Sequence, residues 1–317
     1  MKPRIELPEL VQQKARALGG EGERWLRDLP EIVDALATDW QLDVGAPMAG
    51  GSGAFVAPAT IATTGEDAIL KVAMPDGLEG QSPFATELHG LELGAGRGFV
   101  RVLRAAVDRR AVLQERLGRS LQSLGLPVEA QLDAIVETLR GVWRPVTDDP
   151  LLRTGFEQAE FLEMFVLTRW EALDRPCATA TIRQACEYAH ARRDDFDANH
   201  TVLIHGDGHH ANVLEAPDGG FRLIDPDAMR SEPAHDLGIP LRGWTDELLA
   251  SDDPTRHGRA WCERLGERAG VDADKIWQWA FVERVSTGLF LLDLGALEQG
   301  ARMLAVAGQW TATSPAS

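Results

Sequence analysis

Positive charge and cysteine are both scarce in this chain. Lysine and arginine number 32 against 49 aspartates and glutamates, a formal net charge of -17. Nucleic acids and anionic membrane surfaces are bound chiefly through clustered Lys and Arg, so neither is expected as the main partner. A cationic small molecule would instead be attracted. The three cysteines, Cys177, Cys186 and Cys262, have no metal-ligand spacing and cannot make an even disulfide framework, which fits a reducing cytoplasm. No run approaches the roughly 18 uncharged residues of a membrane span. The segment from Met1 to Pro8 has no apolar signal core, and there is no internal repeat or low-complexity tract.

What is present suits a folded chain of two lobes. At 317 residues, 44% hydrophobic and 26% charged, there is enough apolar material for two cores and little room for disorder. Gly19-Gly20 and Glu21-Gly22 break an early helical pattern. Trp25, Leu26, Leu29, Ile32, Val33, Leu36 and Trp40 then continue with helical spacing, and Pro30 is expected to start a second helix. From Leu42 to Leu117 the pattern changes to short strands with one helix, and from Pro127 helices dominate. The expected class is α+β, with a small antiparallel-sheet lobe over residues 1–117 and a larger, mainly helical lobe over 118–317.

The most informative stretch is His205-Gly206-Asp207-Gly208-His209-His210-Ala211-Asn212, followed by Ile224-Asp225. Phosphoryl transfer from ATP needs a carboxylate that meets the acceptor hydroxyl, and an amide and a second carboxylate that hold magnesium on the phosphates. Asp207 and Asn212 have the Asp-x4-Asn spacing of a kinase catalytic loop, and Asp225 stands where the second metal ligand follows it. Thr201 to Ile204 reads as a short buried strand that delivers His205 and Asp207 at its end. Asn212 to Glu215 and Phe221 to Ile224 flank Ala216-Pro217-Asp218-Gly219-Gly220, a hairpin that would bring Asn212 and Asp225 side by side. His205 is expected to orient the loop through backbone hydrogen bonds, and His209 and His210 to be solvated. A metal-hydrolase site is disfavoured because its His-x-His-x-Asp-His order is not met.

The first lobe has residues suited to a nucleotide. Gly50-Gly51-Ser52-Gly53, between strand-like segments, lets backbone approach phosphate, although any hairpin can carry such a turn and this is not a Walker A motif. In the strand Ala68 to Met74, a period of two puts Lys71 on one face with Ile69 and Ala73. Alone it reads equally as a solvated edge lysine; with the loop downstream, a phosphate role is the better reading. Glu87 opens a helical stretch and is the candidate partner of Lys71, with Glu92 as competitor. Phe99 to Leu103 and Ala111 to Leu117 read as two strands joined at Asp108-Arg109-Arg110. Backbone from Glu115 to Leu117 would then meet the adenine edge. Leu91 to Gly98 imitates the glycine loop of methyltransferases that bind S-adenosylmethionine, but no apolar strand precedes it and a helix stop explains it more simply.

With these residues placed, the chain resembles the aminoglycoside/hydroxyurea phosphotransferases, in the streptomycin 6-phosphotransferase branch of the kinase-like superfamily. The resemblance rests on Trp25 with Leu29-Pro30, Leu70-Lys71-x3-Pro75, Glu87 and the segment from Gly94 to Leu103. It continues through Leu113 to Leu117, His205 to Asn212, Ile224-Asp225-Pro226 and Glu232-Pro233-Ala234-His235-Asp236. It implies a bilobal protein-kinase-like fold, a monomer, ATP and Mg2+ as cofactors, and Asp207 as catalytic base. It further implies Asn212 and Asp225 as metal ligands, Lys71 with Glu87 on the phosphates, and Asp236 as anchor of the loop. Gly208 stands where leucine is usual and Ala211 where an acidic residue is common, and neither change removes a required group. The implied activity is phosphate transfer to a hydroxyl of a streptomycin-like acceptor; the alternatives are a kinase of hydroxyurea or another small metabolite and, with less weight, an S-adenosylmethionine-dependent methyltransferase or a non-catalytic nucleotide-binding protein.

From Asp225 to Glu298 there are fifteen acidic against eight basic residues, which suits a pocket for a guanidinium-bearing or amino sugar but equally describes an acidic surface. Asp246, Glu247, Glu283 and Asp293 are the candidate acceptor contacts. Trp244, Trp277 and Trp279 are expected either to stack on a sugar ring or to fill the core.

Overall fold

The computed structural model describes residues 5–48, 53–75 and 82–312. Gly50, Gly51 and Ser52 lie outside the described residues. The chain separates into two compact units, Met1–Gly118 and Arg119–Ser317.

The first unit begins with helices α1 (Glu9–Ala17) and α2 (Gly20–Trp40). Strands β1 (Leu42–Val44), β2 (Ala54–Ile61) and β3 (Asp67–Ala73), helix α3 (Pro83–Gly94), and strands β4 (Val102–Ala106) and β5 (Ala111–Glu115) follow. The sheet order is β1-β2-β3-β5-β4, and every neighbouring pair is antiparallel. Val11, Ala15, Trp25, Leu29, Val33, Leu36 and Trp40 pack with Phe55, Ala57, Leu70, Val72 and Leu113, so α1 and α2 share a core with the sheet. Alternation along β3 sends Ala68, Leu70 and Val72 into this core. It turns Ala73 instead toward Phe84 and Leu88 of α3.

Several boundaries differ from the sequence reading. Pro30 does not start a helix; it lies inside α2. An interior proline costs about 3 kcal/mol. Burying Trp25, Leu29, Val33, Leu36 and Trp40 along one stripe outweighs it, at roughly 1.5–3 kcal/mol for a fully buried large side chain. The early break is confined to Leu18 and Gly19, and Gly20 and Gly22 are already helical. Helix α3 starts four residues before Glu87, at Pro83, with the Ser82 hydroxyl accepting from Ala85 N at 3.3 Å. Strand β4 begins at Val102 rather than Phe99, and β5 stops at Glu115. The glycines after Leu93 do end a helix: Ala95 closes α3 in the left-handed conformation.

The second unit holds helices α4 (Val128–Val142), α5 (Gly155–Ala172) and α6 (Thr179–Asp194). After these come α7 (Pro233–Gly238), α8 (Thr245–Ala250), α9 (Pro254–Ala269), α10 (Ala273–Asp293) and α11 (Leu297–Ala312). Short strands β6 (Arg153–Thr154), β7 (Val202–Ile204) and β10 (Met229–Ser231) form one small sheet, in the order β6-β10-β7. Strands β8 (Val213–Glu215) and β9 (Phe221–Leu223) form a hairpin. Helix α10 is the centre of this unit, packed by α5, α6, α7, α9 and α11 and apolar around most of its girth. Trp277 and Trp279 are core residues on it, Trp277 lying 4.4 Å from the Trp310 ring. No helix among the described residues is long and apolar enough to cross a membrane.

Candidate active site

Strand β7 is buried and ends at Ile204, and the loop that follows is fixed by one carboxylate. Asp236, fully buried on α7, accepts from His205 N at 3.0 Å, Gly206 N at 3.1 Å and Trp143 Nε1 at 3.0 Å. Its charge is thus met by three N–H groups, as a buried carboxylate requires. His205 is also fully buried: its Nδ1 accepts from Asp207 N at 3.1 Å, which makes Nε2 the protonated nitrogen donating to Ile224 O at 2.9 Å. Burial holds the imidazole neutral, lowering its pKa against the pull of Asp236 and Asp207. Gly206 has φ +79°, and a Cβ there would stand 2.3 Å from Asp227 O, so the turn admits no side chain. At Gly208 the space a larger residue would need is filled by Leu139, 3.1 Å from an added Cβ, and by Leu223.

The hairpin brings the next two groups alongside. Val213 pairs with Leu223, and Ile224 N donates to Asn212 O at 3.0 Å, so Asn212 lies opposite the start of Ile224-Asp225. Asn212 Nδ2 donates to Asp207 O at 3.0 Å and to Asp207 Oδ2 at 3.2 Å. With the amide nitrogen so engaged, its oxygen is the donor left for a ligand. Asp225 is exposed and held at φ 56°, an uncommon conformation for a residue with a side chain. An amide oxygen and a carboxylate are hard oxygen donors, a set that fits Mg2+.

Asp207 is surrounded by donors. Arg242, from the 3-10 turn Ile239–Arg242, donates through Nη2 to Asp207 Oδ1, and His209 Nε2 lies 3.5 Å from Oδ2. Burial works to raise the Asp207 pKa, but the hydrogen bond from His209 and the charge of Arg242 outweigh it and leave the group at about 2. Arg242 in turn is desolvated, yet the charges of Asp207 and Glu283 keep it firmly protonated. His209 and His210 are not simply solvated as expected. His210 stacks on Trp244 at 5.0 Å, its pKa is driven down to about 4 by burial, and its Nδ1 has no hydrogen-bond partner among the described residues.

A cleft of about 1080 Å³ opens over Asp207 within this unit. Asp246, Glu247, Glu283 and Trp244 line it, together with Phe161, Phe165 and Phe290, which sequence reasoning did not single out. Five carboxylates (Asp207, Asp227, Asp246, Glu247 and Glu283) face two guanidiniums (Arg242 and Arg302) along its wall. Asp293 is not part of the cleft; it pairs with Arg169 at 3.2 Å, because the end of α10 turns it toward α5. Glu283 is turned from the expected acceptor contact toward protein partners, Arg242 Nη1 at 3.5 Å and His235 Nε2 at 3.4 Å.

In the first unit, Lys71 Nζ lies 2.6 Å from Glu87 Oε1, with each side chain only 12% exposed. Gly53 O accepts from Met74 N at 3.1 Å, just before β2. The Glu115 side chain is taken by Arg101, accepting from its backbone N and its Nε, each at 2.8 Å. The Glu115 N–H donates to Arg101 O at 3.0 Å, so backbone left for an external ligand begins beyond it, toward the half-buried Leu117.

Residues 39–295 match the profile of the aminoglycoside/hydroxyurea antibiotic resistance kinases. The chain is 27% identical over 306 residues to the streptomycin 6-kinase of Streptomyces glaucescens, covering 96% of this chain and 97% of that one. It is 26% identical over 325 residues to the hydroxyurea phosphotransferase of Kitasatospora aureofaciens, covering 96% and 85%. Among solved structures, the amicoumacin kinase hAmiN in complex with AMP-PNP, Ca2+ and Ami shares the fold, with TM-score 0.59, 14% identity and 96% of each chain covered. With a small antiparallel sheet, a larger helical unit and the Asp207 to Asn212 loop in place, the chain belongs to the aminoglycoside/hydroxyurea antibiotic resistance kinase family, a phosphotransferase with the bilobal kinase-like fold.

Proposed function

We propose that this chain transfers the γ-phosphate of ATP to a hydroxyl of a cationic, aminoglycoside-type acceptor, most closely one like streptomycin. The observation that carries the acceptor class is the net negative cleft over Asp207, where five carboxylates outnumber the two guanidiniums with which three of them pair. A cationic amino sugar would be drawn to such a wall by charge complementarity. The first unit acts on the nucleotide: Lys71, set by Glu87, meets the phosphates, Ser52 and Gly53 are assigned to nucleotide binding with it, and backbone between Glu115 and Leu117 meets the adenine. Asn212 and Asp225 hold magnesium, which neutralises charge on the phosphates when bound.

Asp207, kept ionised by Arg242 and His209, is a weak base held as an acceptor of hydrogen bonds. Its role follows from that: it orients the acceptor hydroxyl toward the γ-phosphate and receives the proton late, as suits a loose phosphoryl-transfer transition state. His205 and Asp236 hold the loop. The charged wall is completed by Asp246 and Glu247. All three cysteines are free thiols, in keeping with a reducing cytoplasm.

A second reading, hydroxyurea as acceptor, is favoured by the comparable identity to a hydroxyurea phosphotransferase. Cleft size argues the other way. A volume of about 1080 Å³ is slightly above the roughly 300–1,000 Å³ typical of drug-sized ligand sites and far beyond a molecule of a few heavy atoms. ATP consumption screened against streptomycin, other aminoglycosides, aminated sugars and hydroxyurea decides between them. Turnover with hydroxyurea and none with any cationic sugar would overturn the acceptor assignment.

A further inference from the structure

Arg242 lies between two carboxylates that the sequence reading assigned to different tasks. Its Nη2 donates to Asp207 Oδ1 and its Nη1 lies 3.5 Å from Glu283 Oε2; the Arg242 side chain is 21% exposed and that of Glu283 only 7%. Glu283 is itself fixed from behind, with Oε1 3.4 Å from Nε2 of the fully buried His235. His235 in turn stacks on Trp279 at 3.8 Å. The guanidinium is therefore tied at both ends.

The backbone under Arg242 is tied as well, by the residue that follows Glu283. Arg284 is fully buried and has no carboxylate partner among the described residues. It donates to the carbonyls of Leu241 and Gly243, at 2.5 and 2.9 Å, and to Thr245 Oγ1 at 3.0 Å. Its guanidinium also lies over the Trp310 ring at 4.9 Å. A buried cation that engages main-chain carbonyls on both sides of one residue fixes where that residue's side chain starts. Trp244, in the left-handed conformation at φ 50° and stacked on His210, holds the other side of the turn.

We propose that Arg242 is a positioning residue for phosphoryl transfer, held by the consecutive pair Glu283 and Arg284 so that it fixes the orientation of the Asp207 carboxylate. This rests on the kinase reading of the site. An ionised carboxylate has about four lone-pair directions. On Asp207, Oδ1 is met by Arg242, and Oδ2 by Asn212 at 3.2 Å and His209 at 3.5 Å. The direction left over faces the cleft, and it sets the line along which an acceptor hydroxyl binds. Glu283 thus acts through Arg242 and not on the acceptor. The planar two-armed guanidinium is needed because it spans two carboxylates at once, which an ammonium cannot do with the same geometry.

The test is steady-state ATP turnover by the full chain, with streptomycin as acceptor and in parallel with water as acceptor. Arg242→Ala is expected to lower kcat roughly 10²-fold, the loss that follows from a misplaced reacting group, while the KM for ATP stays within about twofold. Millimolar guanidinium is expected to restore part of that kcat, which a merely structural role would not do. Glu283→Gln and Arg242→Lys are expected to give smaller losses, again in kcat. A kcat for Arg242→Ala within about twofold of wild type, or a loss confined to the KM for streptomycin, would overturn the role. If Arg242→Ala fails to fold, the two conservative variants decide it, and unchanged kcat in both overturns the role. Wild-type chain that turns over ATP with none of streptomycin, the other aminoglycosides, aminated sugars or hydroxyurea would defeat the kinase reading itself, an outcome visible before any variant is compared.

Discussion

The side-chain amide of Asn212 donates to both the main-chain carbonyl and the carboxylate of Asp207, at 3.0 and 3.2 Å. One residue therefore links the proposed acceptor side of the site to the proposed metal side. Asn212→Ala is predicted to weaken magnesium-dependent ATP binding and also to lower kcat, since it removes a proposed metal ligand and loosens Asp207. Asp225→Ala should show the first effect more than the second. Calorimetric titration of ATP at several magnesium concentrations reads both, and unchanged curves in the two variants would contradict the metal assignment.

Lys71 and Glu87 form an ion pair with 12% of each side chain exposed. Lys71→Met is predicted to reduce kcat/KM for ATP by roughly 10²-fold or more, because it removes a charge that bears on the phosphates. Glu87→Gln keeps the shape and should cost less, by loosening the lysine. Steady-state kinetics with varied ATP separates the two; equal and negligible effects would leave Lys71 as a structural residue.

Asp133 on α4 accepts from Arg264 at 2.7 and 2.6 Å and from Arg268 at 2.7 Å, both on α9. The hydrogen bond from Arg264, against some desolvation, holds its pKa below the usual carboxylate value. A depressed folded-state pKa contributes stability above the unfolded value of about 3.9 and loses it as pH falls through the lower folded value. Asp133→Asn is therefore predicted to cost about 0.5–1 kcal/mol at neutral pH, discounted because both arginines are more than a third exposed. The difference from wild type should vanish in acid. Thermal unfolding from pH 7 to pH 2 measures it, and a gap that persists at the lowest pH would contradict the linkage.

Charge in the cleft predicts a salt response. Apparent affinity for streptomycin should fall as ionic strength rises, because partly exposed charge pairs are screened over about 8 Å at physiological salt. A KM for streptomycin that is flat from low to high salt would argue that the acidic wall plays no part in recognition.

The parts of this site that were legible in the sequence are those whose logic is local. Asp207 and Asn212 are five residues apart, and Asp225 follows across one tight hairpin, so spacing and turn chemistry were enough. Lys71 could be placed on its face by the two-residue period of β3, but its partner was settled only by the 2.6 Å contact with Glu87. Arg242 left no such signal. Its partners Asp207 and Glu283 are 35 and 41 residues away in the chain, and nothing in Leu241-Arg242-Gly243 marks a residue that will reach them. Asp293, an acidic residue chosen by composition, is turned by helix geometry toward Arg169. Pro30 was misread because a local helix-start preference was given more weight than a buried stripe of five large side chains. The two tryptophans of α10, Trp277 and Trp279, could not be assigned to core or ligand from spacing, since that helix is buried around most of its girth.

The most direct test is the rate at which the γ-phosphate of ATP appears on streptomycin, followed by mass spectrometry for wild type and Asp207→Ala at saturating ATP. Wild type is predicted to give a singly phosphorylated product, and Asp207→Ala to lose roughly 10²–10⁴-fold in rate with little change in ATP affinity. An Asp207→Ala variant that phosphorylates streptomycin at close to the wild-type rate would contradict the account.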